Sequence, residues 1–301
     1  MRVARLLGLV LGAVSAASGC RESAQASAAQ IKAAEREREQ LLERRIAKAD
    51  SAPGKMTPVA MWRMPPELSE ISGIALTPDG RLFAHGDELA RVAVLNPKTG
   101  VVLKSFTVGT GLAGDFEGIT FAGSDIYMIT SNGTLYQFRE GASDAAVRYS
   151  TIDTRLGKEC EFEGVAFERD SAWLVMPCKR ATKKLPPGQL VIYRWRLQGA
   201  DSARLTMLTV PMSEAVGSNG WKALHPSDIT IDPATGNYVL ISSQEKALVE
   251  ITPAGQVERS ESLPGKHPQP EGVAITSDNL LIVSDEASNS PASITLYRWR
   301  P

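Results

Sequence analysis

The sequence has the composition of an ordinary globular protein. It has 301 residues, of which 43% are hydrophobic, and its formal net charge is −1. This length allows one large or two small domains, and the near-neutral charge gives no reason to expect a nucleic-acid partner.

Residues 1–19 have the features of an export signal. Arg2 and Arg5 precede the apolar run 6–17, which is short for a membrane span and has the proportions of a signal-peptide core. The run ends in Ala-Ser-Gly-Cys, which resembles the lipobox of bacterial lipoproteins, where the cysteine is lipidated. We therefore predict a lipid anchor on Cys20 and a periplasmic location, and Arg21 favours the outer membrane by resemblance to lipoprotein sorting rules. Cleavage by ordinary signal peptidase and a retained anchor are the alternatives.

Residues 20–57 form a linker rich in Ala, Glu, Arg, Gln and Lys. Many i,i+4 charge pairs favour a helix, and its apolar stripe is thin, with Leu41, Leu42 and Ile46 as the strong apolar residues. We predict a solvated helical stalk that holds the folded domain off the membrane. A partner-binding coiled coil is the alternative, although no heptad pattern is sustained.

The domain over residues 58–301 is built on a recurring phrase, in which an acidic residue precedes a glycine and a short apolar strand follows. Three clear copies and two looser ones lie at 115–121, 161–167, 269–275, 70–76 and 225–231. Turn sequences and further short strands follow the copies, so that a full repeat contains four antiparallel strands. Repeated four-stranded units are typical of propeller blades, and we predict an all-β, five-bladed β-propeller.

The spacing of the copies sets the number of blades. Ser72 to Glu117, Glu117 to Glu163, Glu163 to Ser227 and Ser227 to Glu271 are intervals of 45, 46, 64 and 44 residues. The long interval holds two extra loops and no further copy of the phrase, so an insertion is favoured and six blades is the alternative. The last repeat has three strands, and we expect 59–63 to supply the fourth and close the ring.

These motifs together resemble the SdiA-regulated family, which is distantly related to NHL-repeat propellers. The resemblance covers residues 58–301 and rests on the Glu-Gly-aliphatic phrases and on the segments 224–228, 231–236, 270–275 and 282–286. It implies a five-bladed propeller, an exported location and a bound calcium ion, but no known reaction. The family often has an acidic residue after the second strand of a blade, and this chain has Cys178 and Lys179 there in blade three.

Two cysteines remain once Cys20 is assigned to the anchor, and an even number suits an oxidising compartment. The segments 165–167 and 173–175 are predicted to form a hairpin, which places Cys160 and Cys178 just past its open end. We therefore predict a disulfide between them. Two unrelated buried thiols are the alternative.

The first strand of a propeller blade lines the central channel, so symmetry should gather the glutamates of the phrase around one axis. Ser72 and Ser227 occupy the two remaining equivalent positions. Clustered carboxylates repel one another unless a cation compensates them, and an oxygen-rich ring suits Ca²⁺. Alternatively, the glutamates accept hydrogen bonds from the neighbouring blade and only join the blades. The predicted calcium ligands are Glu117, Glu163, Glu271 and Asp228.

A second group of polar residues is expected at the same mouth of the channel. Individually, such residues are more often turn or capping residues than ligands. A histidine beside Asp228 could act as a base, and the basic loop that starts at Lys179 is interpreted as solvated. The possible mouth residues are Asp87, Asn132, Glu245, Asp285 and His225.

Three functions are compatible with this pattern. The first is a membrane-tethered, calcium-stabilised module that binds an unknown protein or small molecule as a monomer. The second is a metal-dependent hydrolase of lactone or phosphoester bonds, by resemblance to gluconolactonase and regucalcin propellers. The third is a scaffold without an ion. Because the sequence has no G-x-S-x-G or H-E-x-x-H motif, the binding module is preferred.

Overall fold

A computed structural model describes residues 16–51, 54, 56–182, 185–197 and 204–299. Most of the predicted signal peptide, residues 1–15, lies outside the described residues, as does the side chain of Cys20. The predictions of an export signal and of a lipid anchor therefore stay predictions. None of the described helices is long and apolar enough to cross a membrane.

The described chain forms a five-bladed β-propeller, as predicted. Blade 1 contains β2 (Ile71–Leu76), β3 (Leu82–Gly86), β4 (Arg91–Asn96), β5 (Val101–Val108) and the short parallel β9 (Ala146–Val147). Blade 2 contains β6 (Phe116–Ala122), β7 (Asp125–Thr130), β8 (Thr134–Phe138) and β10 (Tyr149–Asp153). Blade 3 contains β11 (Cys160–Phe162), β12 (Ala166–Glu168), β13 (Trp173–Ala181), β14 (Gln189–Arg196) and β15 (Leu205–Pro211). Blade 4 contains β16 (Asp228–Ile231), β17 (Tyr238–Ser242), β18 (Ala247–Ile251) and β19 (Val257–Ser262).

Blade 5 joins the two ends of the propeller domain. It contains β20 (Pro270–Ile275), β21 (Leu280–Asp285), β22 (Ser293–Arg298) and, as its outermost strand, β1 (Pro58–Arg63). The pairing is antiparallel, with Ala60 opposite Leu296. The predicted closure by residues 59–63 is confirmed. Pairing the first strand of the domain with the last one also covers an edge that would otherwise be exposed.

The middle strands of the blades are apolar at nearly every position because both faces of each sheet are covered. Tyr238 and Leu240 of β17 pack toward blade 3, whereas Val239 and Ile241 pack toward blade 5. Successive side chains of a strand point to opposite faces, so one strand contributes to two cores. Each of the five apolar clusters accordingly lies between two neighbouring blades.

The long interval between the third and fourth copies of the phrase is an insertion, as expected. Its described part contains the end of blade 3 and the short helix α2 (Met212–Val216), but no additional blade. Blade 3 is irregular in a second way, because its inner strand is interrupted between β11 and β12. Gly164 lies at this interruption and has φ of 94°, a left-handed conformation that favours glycine.

The predicted disulfide is present. Cys160 and Cys178 are bonded, with their Cα atoms 5.5 Å apart. The bond joins the inner strand β11 to the second strand β13, where Phe162 is paired with Cys178. The disulfide therefore links the two strands of this hairpin on the β11 side of the interruption.

The helix α1 (Ala16–Asp50) includes the predicted stalk, but its last turns are packed on the propeller. Leu42 and Ala49 are buried in the cluster between blades 5 and 1. Arg38 donates a hydrogen bond of 2.8 Å to the carbonyl oxygen of Thr99, and Asp50 pairs with Arg298 at 2.5 Å. The thin apolar stripe therefore packs on the propeller. The prediction of a fully solvated helix was wrong for its last turns.

Candidate functional site

The glycine of the recurring phrase allows the inner strands to meet at the axis. A Cβ atom on Gly118 would lie 2.6 Å from the Cα of Gly164 and 2.7 Å from the backbone nitrogen of Val165. Real Cβ atoms do not approach backbone this closely, so only glycine fits here. The residue before the glycine is therefore carried to the mouth of the channel.

Two serines and one aspartate of the phrase join neighbouring blades. Ser72 Oγ donates to the carbonyl of Phe116 at 3.1 Å, and Ser227 Oγ donates to the carbonyl of Pro270 at 2.8 Å. Asp228, which stands where other copies have glycine, accepts a hydrogen bond of 2.7 Å from the backbone N–H of Val273. Burial raises the pKa of Asp228 well above its usual value, despite this hydrogen bond. These three residues therefore perform most of the joining role considered for the glutamates, to which Glu117 adds a hydrogen bond of 3.4 Å accepted from Ser72 Oγ of blade 1.

The glutamates of the phrase instead line a cavity of about 170 Å³ at the mouth of the channel. We call this cavity the acidic cup. Among the described residues, its wall contains six carboxyl groups and one amine, a large excess of acidic groups. The lining residues are Glu70, Ser72, Asp87, Glu117, Glu163, Lys179, Glu271 and Glu286.

Lys179 enters the acidic cup from β13, and within the part of the chain that the structure describes it is the one basic residue in the lining. Its Nζ lies 2.6 Å from Oε1 of Glu163, whose side chain is only 5% exposed. Burial acts against the charged amine, but Glu163, together with Glu271 and Glu117, outweighs it and raises the pKa of Lys179. The ammonium group is consequently held in its charged form among the carboxylates.

Three other glutamates of the acidic cup hold protons at unusually high pH. Burial, followed by the charges of Glu163 and Asp115, raises the pKa of Glu117 to about 9. Burial and the charge of Glu163 raise the pKa of Glu271 to about 7. Burial and the charges of Glu271, Asp87 and Glu70 raise the pKa of Glu286 to about 6. One ammonium group therefore compensates only part of the negative charge of the acidic cup.

The structure places the predicted mouth residues in several different environments. Asp87 lines the acidic cup. Asn132 caps its own turn, because its Oδ1 accepts a hydrogen bond of 3.1 Å from the backbone N–H of Thr134. Asp285 is buried, and its Oδ2 lies 2.6 Å from Nδ1 of His267. His225 pairs with Glu245 at 2.9 Å and not with Asp228.

The Glu245 carboxylate of that pair has several hydrogen-bond partners. It also accepts hydrogen bonds from Ser242 and from the backbone N–H of His225. Although burial opposes the effect, these hydrogen bonds lower the pKa of Glu245. A strongly ionised carboxylate with three donors is a structural anchor for the loop.

Sequence reasoning missed two lining residues, Glu70 and Lys179, whereas Glu286 is one of the residues after the second strands that the sequence places at this mouth. The register of the second strands could have found Lys179 as well. Gly86, Asp285 and Cys178 are each paired with the inner strand at the same level of their blades, opposite Ile71, Pro270 and Phe162. The residue that follows each of them is Asp87, Glu286 or Lys179, and all three line the acidic cup.

The calcium ion implied by the family resemblance does not fit these residues as they are placed. Carboxylate oxygens have suitable chemistry for Ca²⁺, which takes six to eight oxygen ligands. However, the ammonium of Lys179 already lies 2.6 Å from Glu163, and Asp228 is directed to the backbone of blade 5. Within the described part of the chain, no group of three or more His, Cys, Asp or Glu side chains could hold a metal ion.

The fold and the site define a five-bladed propeller with an acidic cup at one mouth of its channel. The sequence matches the SdiA-regulated family over residues 63–290, which is most of the chain. The protein therefore belongs to the SdiA-regulated family. No curated protein matches the sequence.

Solved structures similar to this chain include enzymes and a protein of unknown function. Glutaminyl cyclase from Myxococcus xanthus is 14% identical with a TM-score of 0.55, and the match covers 80% of this chain and 95% of that one. A luciferin-regenerating enzyme is 11% identical with a TM-score of 0.51, over 80% and 95% of the two chains. A Bacteroides thetaiotaomicron protein of unknown function is 17% identical with a TM-score of 0.48, and this chain, 78% covered, spans 56% of it. At these identities the likeness shows the fold alone.

Proposed function

We propose that this protein is a membrane-tethered periplasmic binding module whose acidic cup receives a positively charged group of a ligand or partner. The observation that carries the proposal is the imbalance of six carboxyl groups against one amine among the described residues that line the acidic cup. Burial and, after it, the charges of neighbouring carboxylates raise the pKa values of Glu117, Glu271 and Glu286, so part of each shift comes from the same imbalance. A bound cation would favour the ionised carboxylates and release protons.

The outer part of the acidic cup is the place where such a group would enter. Burial and then the charges of Glu271, Asp87 and Glu70 raise the pKa of Glu286. These four carboxyl groups are therefore close enough to act on one site. An organic ammonium or guanidinium group, such as a basic side chain of a partner, can donate several hydrogen bonds to dispersed carboxylates without a fixed coordination geometry.

The test uses trilysine as the probe and isothermal titration calorimetry as the measurement. We expect trilysine to bind at low salt with release of protons, seen as a heat that depends on the ionisation enthalpy of the buffer. Triglutamate should give no heat. The double variant Glu70→Gln/Glu286→Gln should weaken binding at least tenfold, whereas Glu258→Gln, at an exposed acid of β19, should bind as wild type does. Equal binding by both variants would refute the proposal.

A hydrolase is the second candidate, and one observation favours it. Glu271, with a pKa raised to about 7 by burial and the charge of Glu163, could exchange a proton with a substrate near neutral pH. The metal-dependent version expected from the sequence would need a divalent ion where the Lys179 ammonium lies. Turnover of a lactone or phosphoester panel that Glu163→Gln abolishes would favour this candidate over the binding module.

A further inference from the structure

We propose that the Lys179 ammonium is the resident cation of the acidic cup, so that calcium does not bind at Glu163 and the stability of the protein depends on this amine. The inference concerns the inner end of the acidic cup. It stands whether or not the outer carboxyl groups bind a partner.

The position of Lys179 in the repeat supports this role. It follows Cys178, which is paired with the inner strand of blade 3 as Gly86 and Asp285 are paired in blades 1 and 5. Blades 1 and 5 place an acid, Asp87 or Glu286, at the next residue. One blade of the same ring therefore supplies a fixed positive charge where two others supply negative charge.

The contacts of Lys179 are those that a bound cation would make. Its Nζ lies 2.6 Å from Oε1 of Glu163, and Glu271 and Glu117 also stabilise its charge. These are the three glutamates that symmetry predicted as calcium ligands. The side chain of Lys179 is 25% exposed and that of Glu163 is 5% exposed, so the pair is shielded from bulk water. Charges in such surroundings are screened little by salt.

An ammonium group and a calcium ion cannot share this position. A calcium ligand oxygen lies 2.3–2.6 Å from the ion, and Oε1 of Glu163 has its amine at 2.6 Å. A calcium ion on Glu163 would lie within a few ångströms of the ammonium, and like charges at that distance repel strongly when partly buried. Removing the amine would leave Glu117, Glu163 and Glu271 without the one cation that the described residues supply to them, and the repulsion among their carboxylates would then be uncompensated.

The experiment measures calcium content and thermal stability of the folded protein at pH 7.5. Wild type should contain no calcium by elemental analysis after gel filtration in calcium-containing buffer, and its melting temperature should be the same with chelator and with 1 mM Ca²⁺. Lys179→Met, which keeps the length of the side chain, should melt at a lower temperature than wild type, both with chelator and with 1 mM Ca²⁺, because the carboxylates lose their compensating charge.

Three controls separate this mechanism from a general effect of charge. Lys179→Arg keeps a cation and should melt close to wild type. Lys179→Met/Glu163→Gln removes the partner carboxylate as well, and it should recover part of the stability lost by the single variant. Lys98→Met, in the turn between β4 and β5 beside Asp278, should behave as wild type does.

Two results would overturn the inference. One is stoichiometric calcium in the wild type, which can be measured whether or not any variant folds. The other is a folded Lys179→Met protein, with the circular dichroism spectrum of wild type, that melts at the wild-type temperature. Failure of the trilysine titration would leave this inference intact, because that titration tests the outer carboxyl groups.

Discussion

His85 is a fully buried histidine that fills the space above a glycine of an inner strand. Its Nδ1 donates to the carbonyl of Gly86 at 2.9 Å, and a Cβ atom on Gly73 would lie 2.5 Å from its Nε2. Nε2 has no hydrogen-bond partner among the described residues. A second proton on this ring would therefore place a buried, uncompensated charge between the strands.

Acid should destabilise the protein through His85. Burial, only partly opposed by the Gly86 hydrogen bond and the charge of Asp87, lowers the pKa of His85 from 6.5 to about 4. As the pH falls below 6.5, His85 is protonated in the unfolded chain but stays neutral in the folded protein. The free energy of unfolding therefore decreases progressively down to pH 4. The loss attributable to His85 is on the order of 3 kcal/mol. His85→Asn keeps a donor for Gly86, and its melting temperature should fall less steeply between pH 6.5 and 4 than that of wild type. Parallel curves would contradict this prediction.

Glu117 should have the opposite pH dependence. Because burial raises its pKa to about 9, the folded protein favours the neutral carboxyl group. Its stabilising contribution is present below the usual pKa of 4.5 and is lost as the pH rises through 9. Glu117→Gln imitates the neutral acid, so its melting temperature relative to wild type should rise steadily from pH 6 to 9.5. Glu258→Gln at an exposed position should show no such trend.

The pairing of β11 with β13 depends on a covalent bond as well as on hydrogen bonds. Cys160 and Cys178 are 18 residues apart, and closing a loop of about this length restricts the unfolded chain by about 3 kcal/mol. Denatured, unreduced periplasmic protein, in which the predicted lipid would block the Cys20 thiol, should therefore show no free thiol with Ellman's reagent. The double variant Cys160→Ala/Cys178→Ala should unfold at a lower denaturant concentration than wild type, with a free energy of unfolding lower by about 2–4 kcal/mol. Two free thiols in the unreduced protein would disprove the bond.

The strands were more predictable than the helix or the site because their signal is repeated. Each blade repeats the same phrase, so the copies supported one another, and even the closure by β1 followed from a missing fourth strand. The helix α1 offered one thin stripe, and nothing local to Leu42 or Ala49 shows that a neighbouring blade will bury them. Its docking depends on the three-dimensional shape of blades 5 and 1, which sequence periodicity does not contain.

The acidic cup was predictable where symmetry applied and unpredictable where one blade differs. Glu117, Glu163 and Glu271 share a repeat position and do meet at the mouth. Asp228 is shifted by one residue into the glycine position, which turns its carboxylate toward Val273. Lys179 stands among basic neighbours, so its sequence context suggested a solvated loop. Only the pairing of Phe162 with Cys178 shows that the next side chain enters the channel.

At the scale of the whole molecule, the remaining prediction concerns how the propeller is held at the membrane. The docked end of α1 fixes the start of the propeller domain, since Asp50 pairs with Arg298 and Arg45 donates to the carbonyl of Val59. Any anchor at Cys20 would therefore hold the folded domain through this helix. A diacylated cysteine provides two acyl chains, which suffices for stable membrane attachment.

Metabolic labelling with radioactive palmitate in a lipoprotein-processing bacterial host tests this tether. Wild type should incorporate label and remain in the membrane fraction until detergent is added. Cys20→Ser should take up no label, while Cys160→Ala/Cys178→Ala, which keeps Cys20, should be labelled as wild type is. Label that persists in Cys20→Ser, or wild type that stays unlabelled and is released on lysis, would contradict the anchor. Because the propeller is closed by β1 and β22 without residues 1–19, neither result would affect the fold or the acidic cup.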